Sequence, residues 1–196
     1  MFTGIIENTA ELLEKTKYLS NVSFIFKSEL ASELKVDQSL SHDGVCLTVE
    51  KIWPQDQTYQ VTAIQETLAK TNLGKLEIHH FVNLERCMKA DGRFDGHIVQ
   101  GHVDLTGVCD DILETGGSWE IYIKYDSNSG NITVPKGSIC LNGISLTVVN
   151  SENGLFSVSI IPYTWENTNL RYLKKGDKVN LEFDIIGKYV ARLLKS

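Results

Sequence analysis

A chain of 196 residues, 42% hydrophobic and 22% charged, has the composition of an ordinary folded protein, and its three prolines leave little room for a disordered linker. Its formal net charge of −6 offers no basic stripe to a phosphate backbone or an anionic lipid surface. Neither nucleic acid nor membrane is therefore an expected partner; a small, nearly neutral ligand is.

The opening residues, MFTGIIENTAELLEK, carry no basic region followed by an apolar core, and no stretch approaches about 18 uninterrupted apolar residues, so a cytoplasmic location is expected. Short apolar or alternating segments then read as strands: VSFIFK (22–27), VCLTVEKI (45–52) and TYQVTAI (58–64). A helix is expected around ETLAKTNLG (66–74), followed by a strand at FVNLER (81–86). Past a polar joint, MKADGRFDGH (88–97), the pattern resumes with WEIYIKY (119–125), ISLTVVN (144–150) and LFSVSII (155–161). A second helix around YTWENTNLR (163–171) precedes KVNLEF (178–183). Finally Ile186, Tyr189, Val190, Leu193 and Leu194 recur at helical spacing, the stripe of an amphipathic helix over 185–196.

The two halves repeat each other. DGVCLTV (43–49) returns as NGISLTV (142–148) at an offset of 99, and residues 64–85 lie over 161–182 at an offset of 97 with ten of 22 positions identical. The change of offset requires two extra residues in the first copy, which KIWPQDQTYQ can hold in a hairpin turn at Pro54 and Asp56. A repeat of this length is a small domain, not a solenoid unit. About six strands and one helix per copy predict a mainly β protein: two closed antiparallel barrels, 1–90 and 97–184, and a C-terminal helix over 185–196. Cys46, Cys87, Cys109 and Cys140 form no CxxC pair, and with the five histidines they give no zinc spacing, so no disulfide framework and no metal is expected.

The MFTGIIE opening, the DGVCLTV and NGISLTV pair, the two TNL helices and the GHIVQGHVDLTG joint (96–107) together resemble the riboflavin synthase family of tandem-barrel enzymes, over essentially residues 1–190. The resemblance implies six-stranded Greek-key barrels, a homotrimer built through the C-terminal helices, and a dismutation that needs no cofactor. Two molecules of 6,7-dimethyl-8-ribityllumazine react by four-carbon transfer to give riboflavin and 5-amino-6-(D-ribitylamino)uracil. Lumazine synthase is a further candidate partner. The chemistry asks for a proton to leave the C7 methyl of one lumazine while C7 of the other stays open to a nucleophile, which hydroxyls, a thiol, an imidazole and backbone N–H groups at a barrel mouth can serve.

Carried over residue by residue, the resemblance places Gly4, Ile5, Ile6, Cys46, Leu47, Thr48 and the stretch Thr62, Ala63, Ile64, Gln65, Glu66, Thr67 around one ligand. Around the other it places Gly101, His102, Val103, Lys136, Ser145, Leu146, Thr147 and the stretch Ile160, Ile161, Pro162, Tyr163, Thr164, Trp165. Cys46 against Ser145, and Thr3 against His102, make the two pockets unequal. Ser145, Thr147 and His102 are the expected groups at one ligand, and Cys46 with Thr48 at the other.

Each residue also has a plain structural explanation. Thr48 and Thr147 suit a strand by their branching. Thr67 and Thr164, read as standing just before helices, would be N-caps. Cys46 is explained as a small buried side chain, His102 as a core histidine, and His97 and Lys136 as turn residues. The alternative function is a non-catalytic lumazine or flavin carrier of the same fold.

Overall fold

In a computed structural model, which describes residues 1–194, the chain forms two closed six-stranded antiparallel barrels. The first holds β1 (Asn8–Tyr18), β2 (Asn21–Lys27), β3 (Ser39–His42), β4 (Val45–Trp53), β5 (Thr58–Ala63) and β6 (Phe81–Arg86). The second holds β7 (Leu105–Thr115), β8 (Ser118–Lys124), β9 (Ser138–Leu141), β10 (Ile144–Glu152), β11 (Leu155–Ile160) and β12 (Lys178–Phe183). Around the first barrel the order is β1-β2-β5-β4-β3-β6, and the same cyclic order relates β7-β8-β11-β10-β9-β12 in the second. Short helices α1 (Gln65–Lys70) and α2 (Pro162–Asn167) follow β5 and β11, and α3 (Ile185–Leu193) follows the second barrel.

Period-two alternation fills each barrel. Val22, Phe24 and Phe26 of β2 and Val45, Leu47 and Val49 of β4 point inward and are buried, as are Ile121 and Ile123 of β8. The two copies differ in their turns, as the offsets require. β4 and β5 are joined by four residues, Pro54 to Gln57, with Gln57 in the left-handed region, whereas Asn153 and Gly154 alone join β10 to β11. The second copy regains two residues between β8 and β9, where 125–137 replaces 28–38.

The repeated Asp-Gly and Asn-Gly turn out to be hairpin tips. Asp43 and Gly44, and Asn142 and Gly143, all have positive φ, the demand of a two-residue type I′ loop. These tips meet: a Cβ on Gly143 would lie 2.8 Å from the Gly44 nitrogen. Around them runs a shared amide network. Asp43 Oδ1 accepts from the Asn83 amide and Asn169 Nδ2, Asn180 Nδ2 donates to the Asp43 carbonyl and to Asn72 Oδ1, and Asn83 Nδ2 donates to the Asn142 carbonyl. Bonds that cross between the halves make the two barrels one packed unit.

Around these tips the barrels also exchange their leading segments. Glu85 accepts hydrogen bonds from the Thr3 and Gly4 amides, and Glu182 accepts from those of Gln100, Gly101 and His102. Having been held by its own barrel, each segment then leans on the other one: Ile6 packs against the second core and Val103 against the first. Phe2 and Val99, both fully buried, bridge the two segments.

The C-terminal helix is capped by Asp184, whose carboxylate accepts from the Ile186 amide at 2.9 Å. Its apolar stripe faces outward: Ile186 is 63% exposed and Tyr189 67%. Of the expected helix, Lys195 and Ser196 lie outside the described residues.

Candidate functional site

Because Val45, Leu47 and Val49 face the core, Cys46 and Thr48 between them face outward, and Ser145 and Thr147 do the same on β10. The expected barrel-mouth pocket is therefore corrected: the polar candidates sit on the outer wall of each barrel, since the interior is filled by apolar side chains. Thr62, on β5 next to β4, also points outward, but its hydroxyl is engaged with Ser23 Oγ and Glu50 at 2.9 Å. Ala63 and Ile160 face inward and are buried.

The exchange of segments decides which residues share a site. The Cys46 amide donates to the Gly101 carbonyl at 2.9 Å, and the Ser145 amide donates to the Gly4 carbonyl at 2.8 Å. Gly4 and Gly101 are required twice over, by φ near +80° and because a Cβ there would sit 2.6 Å from the Cβ of Ser145 or Cys46. Hence Gly101, His102 and Val103 stand beside Cys46 and Thr48, while Gly4, Ile5 and Ile6 stand beside Ser145 and Thr147. This reverses the expected grouping. Within the chain, the His102 segment stands beside Cys46 rather than Ser145, with the His102 side chain exposed. The glutamate-held segments also pair Ile5, not Thr3, with His102, at the constant offset of 97.

The imidazole at Ser145 is His97. Its Nδ1 lies 2.7 Å from Ser145 Oγ, and its amide donates to the Thr3 carbonyl. Burial pushes the His97 pKa below the ordinary imidazole value, against the opposing pull of the Asp184 carboxylate at the cap of α3. A neutral imidazole can accept the hydroxyl proton at Nδ1. Gly96 makes the approach possible, since a Cβ there would lie 2.1 Å from the Thr3 carbonyl oxygen and 2.7 Å from Ser145 Cβ. Sequence reading left His97 as a turn residue, and only its place in the joint MKADGRFDGH hinted otherwise.

Thr67 and Thr164 are the third residues of α1 and α2, not their N-caps; Ile64 and Ile161 occupy the caps and contribute no side-chain bond. The first-turn amides around Gln65, Glu66 and Thr67 thus stay open on the outer surface, as helix starts leave them. Ile64, Ile161 and Tyr163 are exposed there, and Pro162 opens the second helix. Lys136, exposed and in the left-handed region, gives its amide to the Val148 carbonyl one residue beyond Thr147. Leu146 packs partly against the second core, and Leu47 is buried in the first. Trp165 stacks on Trp119 with centroids 4.5 Å apart and planes 5° apart, an aromatic wall that the first copy replaces with Leu68 and Val22. Among the described residues no group of three His, Cys, Asp or Glu side chains could hold a metal ion.

Two outward walls with matched backbone and unmatched side chains agree with what the chain resembles. Residues 3–87 and 100–184 each match the lumazine-binding domain, and the riboflavin synthase of Actinobacillus pleuropneumoniae is 42% identical over 99% of this chain and 90% of its own length. The chain belongs to the riboflavin synthase family. That family's members from Mycobacterium tuberculosis (strain CDC 1551 / Oshkosh), 38% identical over all of this chain and 99% of the relative, and from Bacillus subtilis, 37% identical over 99% and 90%, are similar along the same span. In fold the chain is also like LumP complexed with 6,7-dimethyl-8-(1'-D-ribityl) lumazine, with a TM-score of 0.84 at 21% identity over 93% of this chain and 98% of that one. LumP complexed with riboflavin gives 0.85 at 22%, over 93% and 99%. Riboflavin synthases are transferases, so this chain is an enzyme of that class. The two lumazine-binding matches begin where the exchanged segments begin, at residues 3 and 100.

Proposed function

We propose that the protein dismutates two molecules of 6,7-dimethyl-8-ribityllumazine, moving four carbons from one to the other to give riboflavin and 5-amino-6-(D-ribitylamino)uracil. The observation that carries this reading is the pair of unequal outer walls, one bearing Cys46 and Thr48 beside His102, the other bearing Ser145 hydrogen-bonded to His97. No external oxidant or cofactor enters the reading, because one ring gains the carbons the other loses.

Held uncharged by burial, His97 draws the Ser145 hydroxyl proton, and the oxygen takes a proton from the C7 methyl of the lumazine on the second wall. Thr147 and Lys136 orient that ring, and the open amides at the start of α2 favour the negative charge that develops on its carbonyls. On the first wall Cys46 and Thr48, with the amides around Gln65 to Thr67, hold the second ring with C7 exposed to attack. Domains 1–90 and 97–184 each supply the strand of one wall and the crossing segment of the other.

Both walls are open to solvent, with Thr48, Thr147, Ile64 and Ile161 exposed, so each is completed by a wall of another subunit. A homotrimer built through the exposed stripe of α3 brings first and second walls together. Lumazine synthase remains with this reading as a candidate partner, tested by cosedimentation, and a cytoplasmic location goes with it. Incubation with the lumazine in the presence of a chelator should release one riboflavin per two substrates consumed. Saturable binding without product would instead favour a carrier, the reading that the likeness to ligand-bound LumP supports.

A further inference from the structure

Away from both walls, the two barrels enclose a cavity of about 740 Å³, a volume within the range of small-ligand sites. Its sides are residues 72–81 of the first copy and 169–178 of the second, so equivalent backbone faces itself across the groove. The side chains are not equivalent. Where the first copy has Gly74, Glu77 and Phe81, the second has Arg171, Lys174 and Lys178.

We propose that this groove binds a small phosphate-bearing anion of up to nucleotide size. Four of the 16 lining residues are Lys or Arg, Lys75 from the first side and Arg171, Lys174 and Lys178 from the second, against two carboxylates, Asp43 and Asp177. That balance inverts the chain's own excess of 25 acidic over 19 basic residues. Among the described residues, the ammonium groups of Lys75, Lys174 and Lys178 form no ion pair. Arg171 is fixed in place: Nη1 donates to the Glu166 carbonyl at 2.9 Å, and the guanidinium lies 4.7 Å above the Tyr172 ring, which stacks in turn on Phe81. Asp177 is occupied in accepting the Lys174 amide, and Asp43 on the floor is enclosed by asparagine donors.

Three ammonium charges with no ion pair among the described residues, around one pre-positioned guanidinium, suit a group with several charged oxygens, which a phosphate has and a single carboxylate lacks. A finite cleft between barrels excludes a duplex or a lipid surface. None of the candidate residues of the two walls lines the groove, so the anion and the lumazine do not compete for the same side chains.

Inorganic pyrophosphate titrated calorimetrically into the full chain at fixed ionic strength should bind saturably, one per chain. Lys174→Glu with Lys178→Gln should weaken it at least tenfold, while Lys124→Gln, at a lysine paired with Asp110 outside the groove, leaves it unchanged. Lys75→Gln, on the opposite side, should weaken it too, and decides the matter if the double variant does not fold. Absence of saturable binding, or equal affinity in the wild type and in the groove variants, overturns the proposal.

Discussion

The hydrogen bond between His97 Nδ1 and Ser145 Oγ, 2.7 Å long, joins the polar segment between the barrels to the start of β10. It gives the second wall an imidazole–hydroxyl pair whose partner on the first wall, Cys46, is approached by the His102 segment instead. From this contact follows the first prediction. Ser145→Ala and His97→Gln should each lower kcat by about a hundredfold or more with little change in KM, and the double variant should be hardly worse than either. Independent, multiplying losses would show that the two side chains do not act as a pair.

The same contact sets a pH dependence. Because burial lowers the His97 pKa, the neutral form that accepts a proton persists below the ordinary imidazole value of about 6.5. The acid limb of kcat should therefore lie below that value and vanish in His97→Gln. An acid limb above it would contradict a buried, neutral base.

Asp43 carries a stability prediction. Enclosed at the hairpin tips, its carboxyl is pushed up to about 7 by burial, against hydrogen bonds from Asn83, Asn72 and Asn169. A folded pKa raised above the unfolded one stabilises at low pH, and that contribution is lost as pH rises from about 4 through about 7. Asp43→Asn, which copies Asn142 of the second repeat, removes the titration. The variant's Tm should exceed that of the wild type near pH 8, by the equivalent of about 1 kcal/mol or more, and the gap should narrow toward pH 5. A gap that is constant with pH would mean that Asp43 does not titrate in this range.

Much of this was legible in the sequence. Strands such as VSFIFK and VCLTVEKI alternate strictly enough to give both their existence and their inward faces, and the offsets of 99 and 97 located the longer turn at Pro54. β1 and β7 escaped notice because their far ends, near Tyr18 and Thr115, leave the core and read as polar. β3 and β9 are four residues each, too short for a period to register. The composition of each wall was not legible, since the bonds of Gly4 to Ser145 and of Gly101 to Cys46 join residues far apart in the sequence. Carrying the offset of 97 back to the N-terminus would still have paired Ile5 with His102.

The exchange of segments changes what a single barrel can do. A chain ending at residue 90 keeps Cys46 and Thr48 but loses the Gly101 carbonyl and Val103, which packs on the first core. It should bind the lumazine about tenfold more weakly than a chain ending at residue 104, a difference on the order of one hydrogen bond and one apolar contact. Gly101→Ala in the full chain should mimic part of this loss, because its Cβ would meet Cys46 at 2.6 Å with φ at +82°. Equal affinity of the two shortened chains, measured by fluorescence titration, would remove the crossing segment from the site.

The remaining prediction concerns assembly. Ile186, Tyr189 and Val190 leave an apolar stripe on α3 that is exposed among the described residues, and Lys188 ties the helix to Asp104, 2.7 Å away, next to the His102–Val103 segment. Packing α3 against copies of itself would bury that stripe and also steady the segment beside Cys46. Ile186→Lys with Val190→Lys should therefore dissociate the proposed trimer without unfolding the barrels, whose cores the helix does not enter. If each wall needs a neighbour's wall, activity should fall with the oligomer: holding two rings in register is worth on the order of 7 to 11 kcal/mol of barrier, and a dissociated chain forfeits it. Sedimentation velocity run beside turnover at falling protein concentration tests both steps. A monomer that keeps full activity at every dilution would place the two lumazines on one chain.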